Sequence, residues 1–435
     1  MERTLIKDLK DKVGQEVLLK GWIQELRNLS KIKFIILRDR SGDMQTLAFK
    51  GDTEEESFNA IDEYTKESVV EIIGTVKENK TSRWGIEVGI KNVKMISLSE
   101  VPHPIDNSDK SQTNIDKRID YKFLDTRNLK KQAIFKIRSK IVKIVGNYLD
   151  GNGFINIQTP KITTIGVESG AELFKVDYFG KPIYLSQSPQ VYKQMFVAGG
   201  FERVYEIAPV FRAEKSHTTR HLTEYTGVDF EMAFIKDETE IMNFIEEMLI
   251  DLLTKLKEES SSELALLEVD HEVPEDIPRI TMAEAKALLA EKGKKYSDDD
   301  DLDPEGEKLL GEIVKEKYGS EFVFLTNFPF AIRPFYHMKP EDDPNGTKSF
   351  DLLFNGVEIA TGAQREHRLD ILEKQAKEKG LDMDQMPEYK DIFKYGCPPH
   401  GGVGFGLDRI TQRFLKLDNI REAVLLPRDP ERMAP

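Results

Sequence analysis

The sequence predicts an α+β protein: a small β-barrel at the N-terminus, then a larger domain built on an antiparallel sheet flanked by helices. Three observations carry this. Five short β-rich runs with Gly-containing turns lie between about residue 13 and about residue 98. Beyond them β-rich segments alternate with helical stretches that stand apart from the strands. Finally, 435 residues are too many for one ordinary core.

The barrel comes first. "EVLLKGWIQEL", "IKFIILRDRSGDMQTLAFK", "SVVEIIGTVKE" and "WGIEVGIKNVKMIS" have the spacing of a five-stranded barrel of the oligonucleotide-binding kind. This sets a first domain at 1–100. "SEVPHPIDNSDKSQTNID" is polar, holds two prolines and shows no period, so 101–125 reads as a linker. The remaining domain, 126–435, opens with a helix. Ile134, Ile137, Ile141, Ile144 and Tyr148 recur at spacings of three and four, which gives one apolar face, and Gly151 and Gly153 stop it. "FINIQTPKI" then reads as a strand closed by proline, while "ETEIMNFIEEMLIDLLTKLKEE" and "TMAEAKALLAEKG" read as helices.

Composition narrows the function classes. The charged fraction is 32% and the apolar fraction 39%, and no apolar run nears the roughly 20 residues that cross a bilayer. One cysteine, Cys397, excludes an internal disulfide framework. A polar, charged start carries no secretory signal, so the expected compartment is the cytoplasm, with no membrane partner. The net charge of −14 argues weakly against a nucleic-acid partner. Part of that excess is local, in "DTEEES" and "SDDDDLDPEGE" (297–307), which are expected to be solvated.

The chemistry lies in three segments. "FRAEKSHTTRHLTEYTGVDFEM" reads as two strands joined by a polar loop, with Val228, Phe230 and Met232 alternating along the second. Charge buried on such strands is costly unless it is paired or meets a charged ligand. "ESGAELFKVDYFGKPIYLSQSPQVYKQMF" contributes Glu168, Gln190 and Lys193, and "GVEIATGAQREHR" with "HGGVGFGLDRI" contributes Glu358, Arg365 and Arg409. Arginine grips phosphate and carboxylate as a fixed fork, so Arg212, Arg220, Arg365 and Arg409 point to a polyanion or several carboxylates. Glu358 is suited to a magnesium ion bridging phosphates. Glu168 and Asp229 suit a primary ammonium. Together these residues fit a nucleoside triphosphate and a zwitterionic small molecule in one pocket. "GVGFGLDR" is not a phosphate-cradling P-loop, because no Gly-Lys-Ser/Thr follows it.

These segments resemble the class II aminoacyl-tRNA synthetases. The charged hairpin is similar to their motif 2, "HGGVGFGLDRI" with "NIREAVLLPRDPERMAP" to motif 3, and "GNGFINIQTPKI" with its preceding helix to motif 1. The order of domains resembles the subclass that handles aspartate, asparagine and lysine. "QSPQVYKQ", "FDLLFNGVEIATGAQREHR" and "PRDPER" resemble its aspartate-specific members of the archaeal and eukaryotic kind, which lack the bacterial insertion. A side-chain carboxylate calls for cations, and Lys193 with Arg365 supplies two. Binding asparagine there would strand both of them without an anion. An asparagine-specific synthetase stays open as the alternative, as does an asparagine-synthetase-like paralogue, against which the barrel counts.

The resemblance implies aspartate–tRNA ligase activity with ATP as a substrate, Mg2+, tRNA-Asp (tRNA-Asn left open) and a homodimer formed through motif 1. It implies that Arg212 is the catalytic group, holding the α-carboxylate and the ATP α-phosphate. Glu214, Arg220, His221 and Leu222 would position the nucleotide, Tyr225 would stack on adenine, Gly406 would line the site and Arg409 would grip the γ-phosphate. Glu168, Gln190 and Asp229 would receive the ammonium, and Lys193 and Arg365 the side-chain carboxylate. Glu358 would bind the metal together with Thr361, which stands where the family usually has serine and keeps the hydroxyl. Asp408 replaces a usual glutamate, leaving its partner open. On the barrel, Phe34 would stack on an anticodon base, with Arg27 and Gln45 reading its neighbours.

Overall fold

The computed structural model describes residues 1–164, 173–213, 215 and 219–434. It divides into two compact units, Met1–Asp106 and Asn107–Pro435. In the first, β1 (Glu16–Asn28), β2 (Ile32–Asp39), β3 (Gly42–Phe49), β4 (Val69–Glu78) and β5 (Ile86–Ser97) close into a barrel in the order β1-β2-β3-β5-β4. Period-2 alternation sends Ile35, Leu37, Val70, Ile72 and Val88 into its core. Phe34 stands on the other face of β2 and is half-buried beside Ile32 and Ile36. Arg27 lies directly across from Phe34, and Gln45 across from Ile36. Cross-strand neighbours share a face, so all three expected base readers stand together on the outside of the barrel.

The second unit is organised by its strands β6 (Ile155–Asn156), β7 (Ile162–Thr163), β8 (Lys175–Tyr178), β9 (Lys181–Leu185), β10 (Arg203–Phe211), β11 (Glu224–Ala233), β12 (Arg279–Thr281), β13 (Phe322–Thr326), β14 (Ser349–Phe354), β15 (Glu358–Arg365) and β16 (His400–Gly406). Eight of them form one sheet in the order β12-β13-β14-β15-β16-β11-β10-β6, and β7-β9-β8 form a small second sheet. The large sheet is antiparallel except for its outermost pairs, β12–β13 and β10–β6.

Its two faces are chemically opposite. Phe350, Leu352, Ala360, Val403, Phe405, Val228, Phe230 and Met232 point to a core shared with the helices Leu129–Gly151 and Glu238–Glu259. The other face carries a row across five strands, Asp351–Thr361–Gly404–Asp229–Glu206, each residue paired with the next. One step along lies Ala363–Gly402–Glu231. In the middle of the hairpin Glu206, Asp229 and Glu231 all fall on one face, and that face belongs to the site.

Two expectations are corrected here. The isoleucine face of helix Leu129–Gly151 was assigned to a subunit interface, yet Ile134, Ile137, Ile141 and Ile144 are all buried within their own chain. Each buried isoleucine contributes about 1.5–3 kcal/mol, so this face is already spent on the domain's own core. The segment expected to be a linker is partly ordered, with helices at Ile115–Asp120 and Lys122–Asp125 and Asn114 capping the first. Ion pairs Arg118–Glu422 and Arg421–Asp116, at 3.2 and 2.6 Å, tie it to the C-terminal stretch. No helix among the described residues is long and apolar enough to cross a membrane.

Candidate active site

The polar face of the sheet floors a cavity of about 350 Å³. The glycines of β16 make room for it. A Cβ on Gly402 would stand 2.1 Å from the Phe230 carbonyl oxygen and 2.3 Å from Glu231 Oε2, and one on Gly404 would stand 3.0 Å from Asp229 Oδ1. Both carboxylates fold over a strand that has no side chains at those positions. The glycine run thus admits acids, where the sequence alone suggested nothing specific.

At one end of the cavity four charged groups interlock. Lys193, from helix Gln190–Phe196, is 2% exposed and places Nζ 3.1 Å from Asp229 Oδ1, 3.1 Å from the Val403 carbonyl and 3.3 Å from Glu231 Oε2. Arg365 donates from Nε and Nη2 to the two Glu231 oxygens at 2.9 and 3.3 Å, from Nη2 to the Gly402 carbonyl, and from Nη1 to His337 Nε2 at 3.1 Å. Against the cost of burial, Arg365 and Lys193 hold the Glu231 carboxyl below its ordinary range. The expected pair of cations is present, but the idea that they lack an anion is corrected: Glu231 and Asp229 neutralise them before any ligand arrives. Gln190 is also buried, and its Nε2 has no partner among the described residues.

At the other end Arg409 Nη1 donates to the Glu358 carbonyl at 3.0 Å and to Glu358 Oε1 at 3.3 Å, and Thr361 Oγ1 donates to Glu358 Oε1 at 3.2 Å. Asp351, directly across the strand from Thr361, accepts from Arg333 Nη2 at 2.5 Å through Oδ2, while its buried Oδ1 has no hydrogen-bond partner among the described residues. Burial pushes Asp351 up to about 6, Arg333 opposing and Glu358 adding. Burial likewise opposes ionisation of Glu358, but Arg409, Arg333 and Arg212 outweigh it and hold the carboxyl below its ordinary range. Two carboxylates and a hydroxyl are the hard oxygen donors that magnesium takes, and an orphaned carboxylate oxygen is suited to one. The residues fit such an ion.

Arg212 lies over the Tyr225 ring at 5.4 Å, and both line the cavity along with Arg220, His221, Leu222 and Gly406. Arg220 Nη1 donates to Glu307 Oε2 at 3.3 Å. Burial pushes Glu307 up to about 8, with Glu358 adding to this and Arg220 opposing. This corrects the reading of 297–307 as wholly solvated: Asp303 caps a helix starting at Pro304 and turns Glu307 inward. Asp408 finds its partners in Arg138 and the Thr226 amide.

The structure therefore gathers Gln190, Lys193, Arg212, Arg220, His221, Leu222, Tyr225, Asp229, Glu358, Thr361, Arg365, Gly406 and Arg409 around one cavity. Glu168 and Glu214 lie outside the described residues. Sequence reasoning gave no role in the site to Asp351, Arg333, His337, Glu231 and Glu307. The first four had a signal: each is a charged or polar residue inside an apolar run.

Comparison with known proteins agrees with this geometry. Residues 17–96 match the OB-fold nucleic acid binding domain, and residues 114–430 match the tRNA synthetases of class II for D, K and N. The chain is 43% identical to an aspartate–tRNA(Asp/Asn) ligase of Aeropyrum pernix, covering 97% of this chain and 96% of that one. It is 42% identical to an aspartate–tRNA(Asp) ligase of Pyrococcus abyssi, covering 97% of each. Among solved structures, the asparaginyl-tRNA synthetase of Pyrococcus horikoshii complexed with asparaginyl-adenylate superposes with a TM-score of 0.94 at 32% identity, over 100% of both chains. An OB-fold barrel ahead of a two-faced antiparallel sheet, and a cavity suited to an amino acid and a nucleotide, go with one family: the chain belongs to the class II tRNA synthetases of the aspartate, lysine and asparagine group.

Proposed function

We propose that the chain is an aspartate–tRNA ligase, activating L-aspartate with ATP and passing it to the 3′ end of tRNA-Asp, with tRNA-Asn as a second acceptor to be tested. The observation that carries this is the pair Lys193 and Arg365 at one end of the cavity, both bound to Glu231 at 3.3 and 2.9 Å. Relatives more than 40% identical over nearly the whole chain bear aspartate in their names, whereas the asparagine enzyme of closely similar fold is 32% identical.

The chemistry needs no protein nucleophile. The α-carboxylate of aspartate attacks the ATP α-phosphorus in line, pyrophosphate leaves, and a hydroxyl of the terminal ribose then attacks the aspartyl carbonyl and releases AMP. Positioning and neutralisation of developing charge are what the residues contribute. Arg212 stabilises charge at the reacting phosphate, while Arg220 and Arg409 take the remaining phosphates. Glu358, Asp351 and the Thr361 hydroxyl would hold magnesium, which when bound neutralises phosphate charge. Asp229 and Gln190 frame the aspartate, Glu168 and Glu214 complete the ammonium and nucleotide contacts, and Tyr225 stacks on adenine. Arg27, Phe34 and Gln45 meet the anticodon. The site of action is the cytoplasm, where all three substrates occur.

The test is exchange of labelled pyrophosphate into ATP with aspartate or asparagine, followed by charging of purified tRNA-Asp and tRNA-Asn. Aspartate-dependent exchange and charging of tRNA-Asp are expected. Exchange driven by asparagine alone would replace this reading with the asparagine one.

A further inference from the structure

We propose that Asp408 is a positioning residue for ATP: bound to both Arg138 and Thr226, it locks the strand that carries Tyr225 to the helix that carries Arg409. The inference rests on the nucleotide half of the functional reading above and goes beyond it, because neither Asp408 nor Arg138 has a role there.

The lock stands where the sheet runs out. Pairing of β11 with β16 ends at Gly227 and Gly406, and from Leu407 the chain turns into the helix Leu407–Phe414. One residue past the end of that ladder, the Thr226 amide donates to a side chain instead, Asp408 Oδ2 at 3.1 Å. The second Asp408 oxygen, Oδ1, is ion-paired with Arg138 Nη1, and Arg138 Nη2 donates to Thr226 Oγ1 at 3.1 Å. Each of the three residues is thus bonded to the other two. Arg138 comes from helix Leu129–Gly151, so one strand and two helices far apart in sequence close on a single carboxylate.

Burial makes the arrangement costly to break. Asp408 is 1% exposed. Burial pushes its carboxyl up, and Arg138 with the Thr226 amide pulls it back. A buried carboxylate that loses its cation is left uncompensated, so the three groups stay committed to one another.

What the lock holds is the nucleotide end of the cavity. Tyr225 precedes Thr226 and Arg409 follows Asp408, and both line the cavity, as do Gly227 and Gly406 on the last rung of the ladder. Asp408 lines it too, but both of its oxygens are engaged, and a carboxylate only repels a triphosphate. It therefore acts through its neighbours, where a small displacement of a binding group is felt strongly. Lys193 and Arg365 bind Glu231 at the opposite end. Loosening the lock should reach the nucleotide and spare the amino acid.

Three full-length variants read this out: D408N, which keeps the shape but not the charge; R138M, whose position lies outside the cavity lining; and the double variant. ATP affinity is measured by equilibrium dialysis of labelled ATP, and KM for ATP and for aspartate by pyrophosphate exchange. D408N and R138M are each expected to weaken ATP binding about 10-fold, with KM for aspartate within about 2-fold of wild type. The double variant strands neither charge and should bind ATP no more weakly than either single one. An unchanged ATP affinity in either single variant, KM values for ATP and aspartate that rise together, or a double loss equal to the product of the single losses overturns the inference. If D408N does not fold, R138M decides alone by the first two of these readings. A wild-type chain that binds ATP but exchanges no pyrophosphate with aspartate refutes the functional reading instead, and the lock is then judged by dialysis.

Discussion

Lys193 ties two buried carboxylates together, and removing it should be felt in folding as well as in catalysis. In Lys193→Met, Asp229 and Glu231 lose the cation they share, at 3.1 and 3.3 Å, in a place shielded from water. Breaking a buried pair from one side typically costs about 3–5 kcal/mol. We expect urea unfolding to show a loss of that order, alongside loss of aspartate activation; a variant as stable as the parent would mean the lysine serves the ligand only. At this scale the cations were legible in the sequence, since Lys193 and Arg365 stand in "QSPQVYKQ" and "GAQREHR", two of the segments that carry the family resemblance. What was not legible is their pairing with Glu231, because the Arg365–Glu231 bond spans 134 residues and exists only through the register of β11, β16 and β15. Glu307 escaped notice for a related reason: it sits at the end of an acidic run, and only the turn of its helix brings it to Arg220, 87 residues away.

Strand β16 shows how an element can be defined by what its residues lack. Gly402 faces Glu231 across the sheet, and Gly404 faces Asp229. In Gly402→Ala the new methyl would meet the Phe230 carbonyl oxygen at 2.1 Å, and backbone within a sheet cannot yield as a flexible side chain does. We expect this variant to lose aspartate-dependent exchange and to unfold at lower temperature. Gly406→Ala meets only Arg409 side-chain carbons, at 3.6 Å or more, and should retain the parent's melting temperature. Equal melting temperatures for both variants would show that the close approach is not the reason for the glycine. The strands and long helices were legible from period and caps, as with Asn128, which accepts from the Lys130 and Lys131 amides at the start of helix Leu129–Gly151. The reason for the glycines was not, since steric room across a strand leaves no trace in one strand's own pattern.

For the whole molecule, the apolar groups left at the surface matter most. With the isoleucine face of helix Leu129–Gly151 consumed internally, a two-fold interface must use something else. Ile155, on the edge strand β6, is 45% exposed, and Phe201 and Phe234 are 46% and 67% exposed. Phe196 and Phe201 rings lie 5.8 Å apart, and the Ala233 amide bonds to the Glu202 carbonyl, which brings the backbone beside Phe234 to the backbone beside Phe201. An unpaired edge with apolar neighbours is a surface that a second copy covers well. We expect sedimentation to give close to twice the 49.9 kDa of one chain, and Phe201→Glu to shift it toward the monomer. A parent that sediments as a single chain would remove the proposal. The division at Asp106 has a different consequence. Every residue lining the cavity comes from the second unit, and the outer face of Arg27, Phe34 and Gln45 comes wholly from the first. Under the function proposed above, the choice of amino acid and the reading of the anticodon are written in separate vocabularies. A lineage using such a protein would broaden or narrow the set of anticodons it accepts by editing the barrel alone, while every aminoacyl-adenylate it makes would stay the same.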